Sequence, residues 1–233
     1  MLMSFDATAV VILSKYPTPG RVKTRLTPAL SPEQAAAVHR IFLLHVVRRF
    51  RAMGPAELIV CFDPPDARAA MSHLLSSVAA DVTLIPQVGG DLGHRLAAVA
   101  VDVGRRHRRM LIGAVDSPDV PSAHLRGVVD TMAGADVTLG LADDGGYWCI
   151  GLSNSVDAAA LLRSGIEWST DRTGTQTLAA ARAMNYRTAA DYSWGDVDRP
   201  EDLRNLVGRL ERSGEPEDET LLADLRRALP IGF

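Results

Sequence analysis

A doubly wound α/β domain with a mostly parallel central sheet is predicted by three observations. Short runs rich in Val, Ile and Leu alternate with longer segments of helical period. The short runs are continuously apolar, as a strand covered on both faces requires, rather than alternating as a half-exposed strand would be. No long Gly/Ser/Pro linker and no repeat of fixed period divides the 233 residues, so residues 1–233 read as one domain.

The predicted strands are 9–13, 58–62, 82–85, 110–115 and 137–141. Between them the clearest helix is 31–53, where Ser31 caps, Pro32 suits the first turn and Gln34 occupies the capping-box position. Its apolar positions Val38, Ile41, Phe42, Leu44 and Val46 recur at helical spacing. Further helices are expected at 66–78, 91–108, 121–132, 175–185 and 200–212. The acidic stretch Ser213-Gly-Glu-Pro-Glu-Asp-Glu-Thr220 reads as a polar turn before a short terminal helix at 221–229.

Bulk properties exclude several partners. A formal charge of −3 gives no general attraction to nucleic acid or an anionic membrane. The only two cysteines, Cys61 and Cys149, sit in apolar runs without metal-ligand spacing, as buried thiols of a reducing compartment do. The apolar run near the N-terminus has no basic segment before it and is far shorter than the roughly 20 residues of a membrane span. A cytoplasmic location, with no membrane span, is expected.

Chemistry is expected at strand ends, where open α/β sheets bind ligands. After the first strand comes Lys15-Tyr-Pro-Thr-Pro-Gly20-Arg21-Val-Lys23-Thr-Arg25, a Gly/Pro-rich loop carrying four cations, Lys15, Arg21, Lys23 and Arg25. Ammonium and guanidinium groups together suit a polyphosphate, although the spacing is not that of a Walker loop. Gln87-Val-Gly-Gly90-Asp-Leu-Gly93 follows the third strand and opens a helix, where it can hold a base or ribose or serve as a plain loop. Asp116-Ser-Pro-Asp119 follows the strand 110–115. Pro118 turns the backbone out of the sheet there, and one strand-end carboxylate beside a cationic loop fits a hard cation such as Mg²⁺ (or Mn²⁺). Asp119 reads equally as a helix cap.

Asp143-Asp144-Gly-Gly-Tyr-Trp is a turn between strands that holds more negative charge than a turn needs, which makes Asp143 and Asp144 candidate catalytic carboxylates. Asp198, ahead of Pro200 and Glu201, is placed like a helix N-cap, and capping alone accounts for it. His94 and His124 lack partners of metal or nucleophile type and read as surface or packing residues. Trp168-Ser-Thr170 is a candidate substrate-side loop.

These segments, taken in order from about residue 8 to residue 205, resemble the bacterial transferase-1 group of glycosyltransferase-A-like proteins associated with radical-SAM and selenium domains. That group is similar to the nucleotide-diphospho-sugar transferases, whose fold also houses guanylyltransferases and CMP-sugar synthetases. The resemblance implies that Lys23 and Arg25 hold phosphates, that Gln87, Gly90 and Gly93 line the nucleotide, and that Asp116 binds the metal. It implies further that Asp198 is a second metal ligand. This chain carries one more residue between Gly113 and Asp116 than the group's usual strand end. The implied activity is metal-dependent transfer from a nucleotide or nucleotide-sugar donor to a small-molecule acceptor that the sequence does not name. The attack falls either on a sugar carbon, as in a glycosyltransferase, or on the α-phosphorus with release of pyrophosphate, as in a nucleotidyltransferase. A nucleotide-binding module without turnover is the third reading, and Asp143 and Asp144 argue against it.

Overall fold

Val10, Val11 and Ile12 are at most 1% exposed. Their strand, β1 (Ala9–Lys15), has a neighbour on each side and a helical layer on each face. The computed structural model describes residues 5–230 and 233. Within them β1 joins β2 (Glu57–Asp63), β3 (Thr83–Pro86), β4 (Arg109–Ala114), β5 (Val137–Ala142), β6 (Tyr147–Ser153) and β7 (Thr188–Trp194) in one sheet. The strand order is β3-β2-β1-β4-β6-β5-β7. All pairings are parallel except those of β6, which runs against both β4 and β5.

The period of two along β1 divides the core. Val10 and Ile12 face helices α1 (Pro32–Ala52), α2 (Arg68–Leu75), α4 (Ser122–Thr131), α7 (Pro200–Arg212) and α8 (Pro216–Ala228). Ala9 and Val11 face α3 (Leu92–Gly104), α5 (Ala158–Leu162) and α6 (Thr173–Ala183). The expected mostly parallel sheet with helices on both sides is therefore what the chain forms.

Helix α1 begins as its sequence dictates. The Ser31 side chain accepts from the Gln34 amide, the Gln34 side chain returns the bond to Ser31, and Pro32 fills the first turn. The helix then buries Val38, Phe42, Leu43, Val46, Val47 and Phe50 against the sheet.

Other elements differ from expectation. The five continuous runs correspond to β1–β5, but the sheet has seven strands. Strand β6 completes the hairpin that opens at Asp143, with Cys149, Ile150 and Leu152 buried. Strand β7 has no apolar run because it is an edge strand, exposed along much of its length and held by parallel pairing to β5. The segment read as a polar turn at 213–220 is helical from Pro216. Pro216 occupies the first turn of α8 with Glu217, Asp218 and Glu219, where acidic side chains complement the helix dipole. Among the described residues no helix is long and apolar enough to cross a membrane.

One buried group makes stability depend on pH. His45 of α1 is 4% exposed, and its Nε2 has no hydrogen-bond partner among the described residues. Burial, reinforced by the Arg49 and Arg48 charges, lowers its pKa from 6.5 to about 3. The unfolded chain therefore takes up a proton that the folded chain refuses. The stability contribution is complete above pH 6.5 and is lost as the pH falls towards 3. Thermal midpoints measured from pH 6.5 to 4.5 are expected to fall less steeply for His45→Leu than for the parent chain.

Candidate functional site

The chain leaving β1 leads to β2 on one side of the sheet, whereas the chain leaving β4 leads to β5 on the other. Diverging connections at the carboxyl ends of two adjacent parallel strands leave a crevice between them. Here it is a cleft of about 540 Å³, lined from the ends of β1 and β4, the loop after β1, α3, the β5–β6 turn, and segments 169–173 and 196–198.

The loop after β1 crosses the cleft floor. Lys23 adopts a left-handed conformation, φ 46°, at the start of a 3₁₀ turn, Thr24–Leu26, whose Leu26 is fully buried. Its ammonium lies 2.5 Å from Asp116 Oδ1, donates to the Val197 carbonyl, and sits 5.5 Å from the centroid of the Phe42 ring. The Lys23 side chain is 4% exposed. Arg25 Nη1 donates to Asp198 Oδ2 at 2.6 Å. Lys15, Arg21 and Arg95 also line the cleft, and none of them makes an ion pair with any described residue. Gln87 lines it too: its amide donates to the Cys61 carbonyl at 2.8 Å and, more weakly, to that of Ser14. His39 Nε2 hydrogen-bonds the Lys15 carbonyl at 3.0 Å. Its pKa is lowered, because burial outweighs the opposing pull of Asp116.

Carboxylates face these cations. Burial pushes the Asp116 carboxyl up, but Lys23, through charge and hydrogen bond, holds it below the usual range. The Asp116 carbonyl accepts from Val197 N at 2.8 Å, which brings the chain at Val197–Asp198 beside the end of β4. Asp198 is not the helix cap. Asp202 accepts from the amides of Asp198 and Arg199, leaving the Asp198 carboxylate free to face Arg25. Val197 is fully buried, so backbone alternation places Asp196 and Asp198 together on the cleft side. Asp196 is pushed up to about 6, by burial first and then by Asp144, Asp198 and Asp116.

The remaining residues expected from sequence lie elsewhere. Asp144 lines the cleft, and its Oδ1 accepts from Gly146 N. Asp143 is exposed and sits beside Gly195, off the cleft wall. Gly20, at φ 73°, and Gly90, at φ 108°, lie in exposed turns and do not line the cleft. Gly93 is packed inside the helical layer, where an added Cβ would lie 2.3 Å from the Trp168 indole nitrogen and 2.4 Å from the Leu162 carbonyl. His94 pairs with Asp91, the cap of α3, and His124 packs on Tyr192 and Trp194.

Sequence reading passed over Arg95, His39, Asp196 and Thr173 as cleft residues. The alternation of Asp196-Val197-Asp198 was a readable signal for one of them. Arg95 and His39 lie on helices whose tertiary placement alone brings them to the cleft.

Behind Asp116 the chain is clamped. The buried Arg49 guanidinium donates to the carbonyls of Pro118 and Val120, to Ser122 Oγ at 3.2 Å and to Glu217. Asp119, rather than capping α4, accepts two bonds from Arg209 and one from the Trp194 indole.

Residues 46–170 match the family described as "Uncharacterized protein conserved in bacteria (DUF2064)", which is more than half of the chain. The chain belongs to this family. No protein of curated function matches the sequence. Among solved structures, a candidate nucleotide-diphospho-sugar transferase from Desulfovibrio desulfuricans G20 is 25% identical. That match has a TM-score of 0.83 and covers 98% of this chain and 100% of the other. The inositol-1-phosphate CTP transferase from T. maritima is 12% identical at TM-score 0.59, with coverage of 96% and 98%. The 4-diphosphocytidyl-2C-methyl-D-erythritol synthase from Anaerococcus prevotii is 8% identical at TM-score 0.57, with coverage of 89% and 100%. The chain therefore has the fold of the nucleotide-diphospho-sugar transferases and nucleotidyltransferases.

The clamp behind Asp116 is tested by its removal. Arg49→Met strands two buried carbonyls and is expected to lower the unfolding free energy by on the order of 3 kcal/mol. Arg48→Met, one position along on a half-exposed side chain, should change it by less than about 0.5 kcal/mol. Chemical denaturation of both variants checks the contrast.

Proposed function

We propose that this chain is a transferase that takes a nucleotide or nucleotide-sugar donor, with glycosyl transfer as the leading reading and nucleotidyl transfer as the second. The observation that carries it is the distribution of charge in the cleft. Three cations that make no ion pair with any described residue, Lys15, Arg21 and Arg95, line the cleft at the topological switch point together with Asp144, Asp196 and Asp198. Concentrated unpaired positive charge at the ends of parallel strands suits a polyphosphate. The candidate nucleotide-diphospho-sugar transferase from Desulfovibrio supports the same reading.

The acceptor side favours the first reading over the second. Ser169, Thr170, Thr173 and Tyr147 line it with Asp144 and Asp196, and these segments contribute no cation to the cleft. A hydroxyl acceptor suits such a wall, because carboxylates can accept its proton or orient it. A phosphorylated acceptor would meet like charge there.

A divalent cation fits the residues present. Asp116 and Asp198 are half-exposed carboxylates of the type hard cations choose. Among the described residues no group of three or more His, Cys, Asp or Glu side chains could enclose a metal ion. That is compatible with Mg²⁺ or Mn²⁺, which is commonly held by one or two carboxylates plus substrate phosphates. When bound, such an ion supplies neutralising charge to the leaving phosphate. Lys15, Arg21 and Arg95 bind and orient the donor phosphates, Gln87 and Leu92 line the cleft beside them, and Asp144 or Asp196 receives the acceptor proton.

Two measurements test the reading. In a thermal-shift screen of nucleotides and nucleotide sugars with Mg²⁺, a donor at 100-fold over its Kd should add about 2.7 kcal/mol of stability. Arg21→Ala or Arg95→Ala should then weaken that donor by about 1.5–3 kcal/mol. An absence of any stabilising nucleotide overturns the proposal. Asp144→Asn should keep donor affinity and lose turnover by roughly 10²-fold or more, and full turnover in that variant removes Asp144 from the chemistry.

A further inference from the structure

Lysine ammonium groups carry three donors and a compact, strongly hydrated charge. One held out of water has all three needs met by the protein or shifts its environment at considerable cost. Lys23 has them met. Its ammonium is shared between the Asp116 carboxylate and the Val197 carbonyl, above the face of Phe42, and its side chain is 4% exposed. The other cleft cations, Lys15, Arg21 and Arg95, have no carboxylate partner among the described residues. The loop thus commits Lys23 to the interior, pairs Arg25 with Asp198 and leaves Lys15 and Arg21 open to the cleft. The committed one sits on the carboxylate best placed to hold a metal.

Its backbone shows that the position is enforced. Lys23 has φ 46° and ψ 37°, a left-handed conformation unusual for a side chain of this length. Arg25 repeats the arrangement two residues later, where it pairs with Asp198 on the exposed side of the same cleft. The two carboxylates expected to hold a divalent ion are each already neutralised by a cation from one three-residue stretch of loop.

We propose that the Lys23 ammonium occupies the cation position at Asp116 in the ligand-free protein and yields it to a divalent cation that arrives with nucleotide phosphates. This rests on the reading of the cleft as a nucleotide site. Without Lys23, Asp116 would face the Asp196 and Asp198 carboxylates with no counter-charge of its own. With Lys23 in place the free metal competes against a tethered ammonium at high effective concentration. Entering phosphates change the balance, because they offer both a second set of oxygen ligands to the ion and a new partner for Lys23. Metal and nucleotide therefore bind with positive coupling, and the metal alone binds weakly.

The test is Mn²⁺ binding to the ligand-free full chain, followed by electron paramagnetic resonance, with no turnover involved. The parent chain should bind Mn²⁺ weakly, and adding the stabilising nucleotide from the thermal-shift screen should tighten it by 10-fold or more. Lys23→Met, which keeps the stem against Phe42 and removes the charge, should bind Mn²⁺ alone at least 10-fold more tightly than the parent. Lys23→Arg, which keeps the charge, should show no such gain, and its folding controls for loss of the loop. Equal Mn²⁺ affinity in the parent and Lys23→Met overturns the proposal, as does a parent chain that already binds Mn²⁺ tightly without nucleotide. If Lys23→Met does not fold, uncoupled Mn²⁺ and nucleotide binding in the parent overturns it. A parent chain that binds no nucleotide fails the underlying reading instead, and the thermal-shift screen reports that separately.

Discussion

Parallel strands cannot be joined by tight turns, and that geometric constraint organises everything found at the cleft. Each parallel strand must hand its chain to a crossover, and at β1 and β4 the crossovers part towards opposite ends of the sheet. The gap this leaves is bordered by strand ends, where buried β-sheet gives way abruptly to loop. Polar side chains placed there are anchored by a rigid layer on one side and open to ligand on the other. Lys15 and Asp116 stand at or just beyond two such ends, so their separation is set by sheet spacing rather than by loop conformation.

Rigidity at the floor has a second source. The segment after Asp116 has no regular structure until α4, yet it is not free. Arg49 reaches it from α1 and Arg209 from α7, each satisfying groups that a loop inside the molecule would otherwise leave unpaired. A charge inside a protein is tolerated only when it is paired and hydrogen-bonded: the buried Arg49 guanidinium reaches four acceptors, and the buried Asp119 carboxylate is held by the partly exposed Arg209. The loop that presents Asp116 therefore behaves as part of the core, although it is drawn from residues that read as a turn.

What the sequence made legible follows from the same physics. Strands β1 to β5 announce themselves because burial on both faces demands unbroken apolarity, and α1 because capping is local. The cationic loop and the strand-end aspartate were legible for a related reason, as polar residues directly after buried strands. Strand β7 carries no such mark, since an edge strand is specified by its partner more than by its own side chains. Arg95 and His39 were hidden for an analogous reason: a helix shows which face it buries, not which ligand its polar face meets. The pairing of Lys23 with Asp116 spans 93 positions by numbering, and nothing local encodes it. Asp198 shows the opposite case, where a local motif pointed to a capping role that Asp202 performs instead.

The β5–β6 turn and the start of α6 approach each other closely enough to exclude side chains. An added Cβ on Gly145 would lie 2.0 Å from the Asp171 carbonyl, and Gly174 donates its amide to the Gly145 carbonyl at 3.0 Å. Two separate stretches of chain are thereby welded backbone to backbone into one plate. Any drift of one drags the other, so the plate has little freedom to widen or narrow the opening by loop variation. Replacing what projects from the plate at Ser169, Thr170 and Thr173 would change the wall of the cleft while both glycines hold its backbone in place.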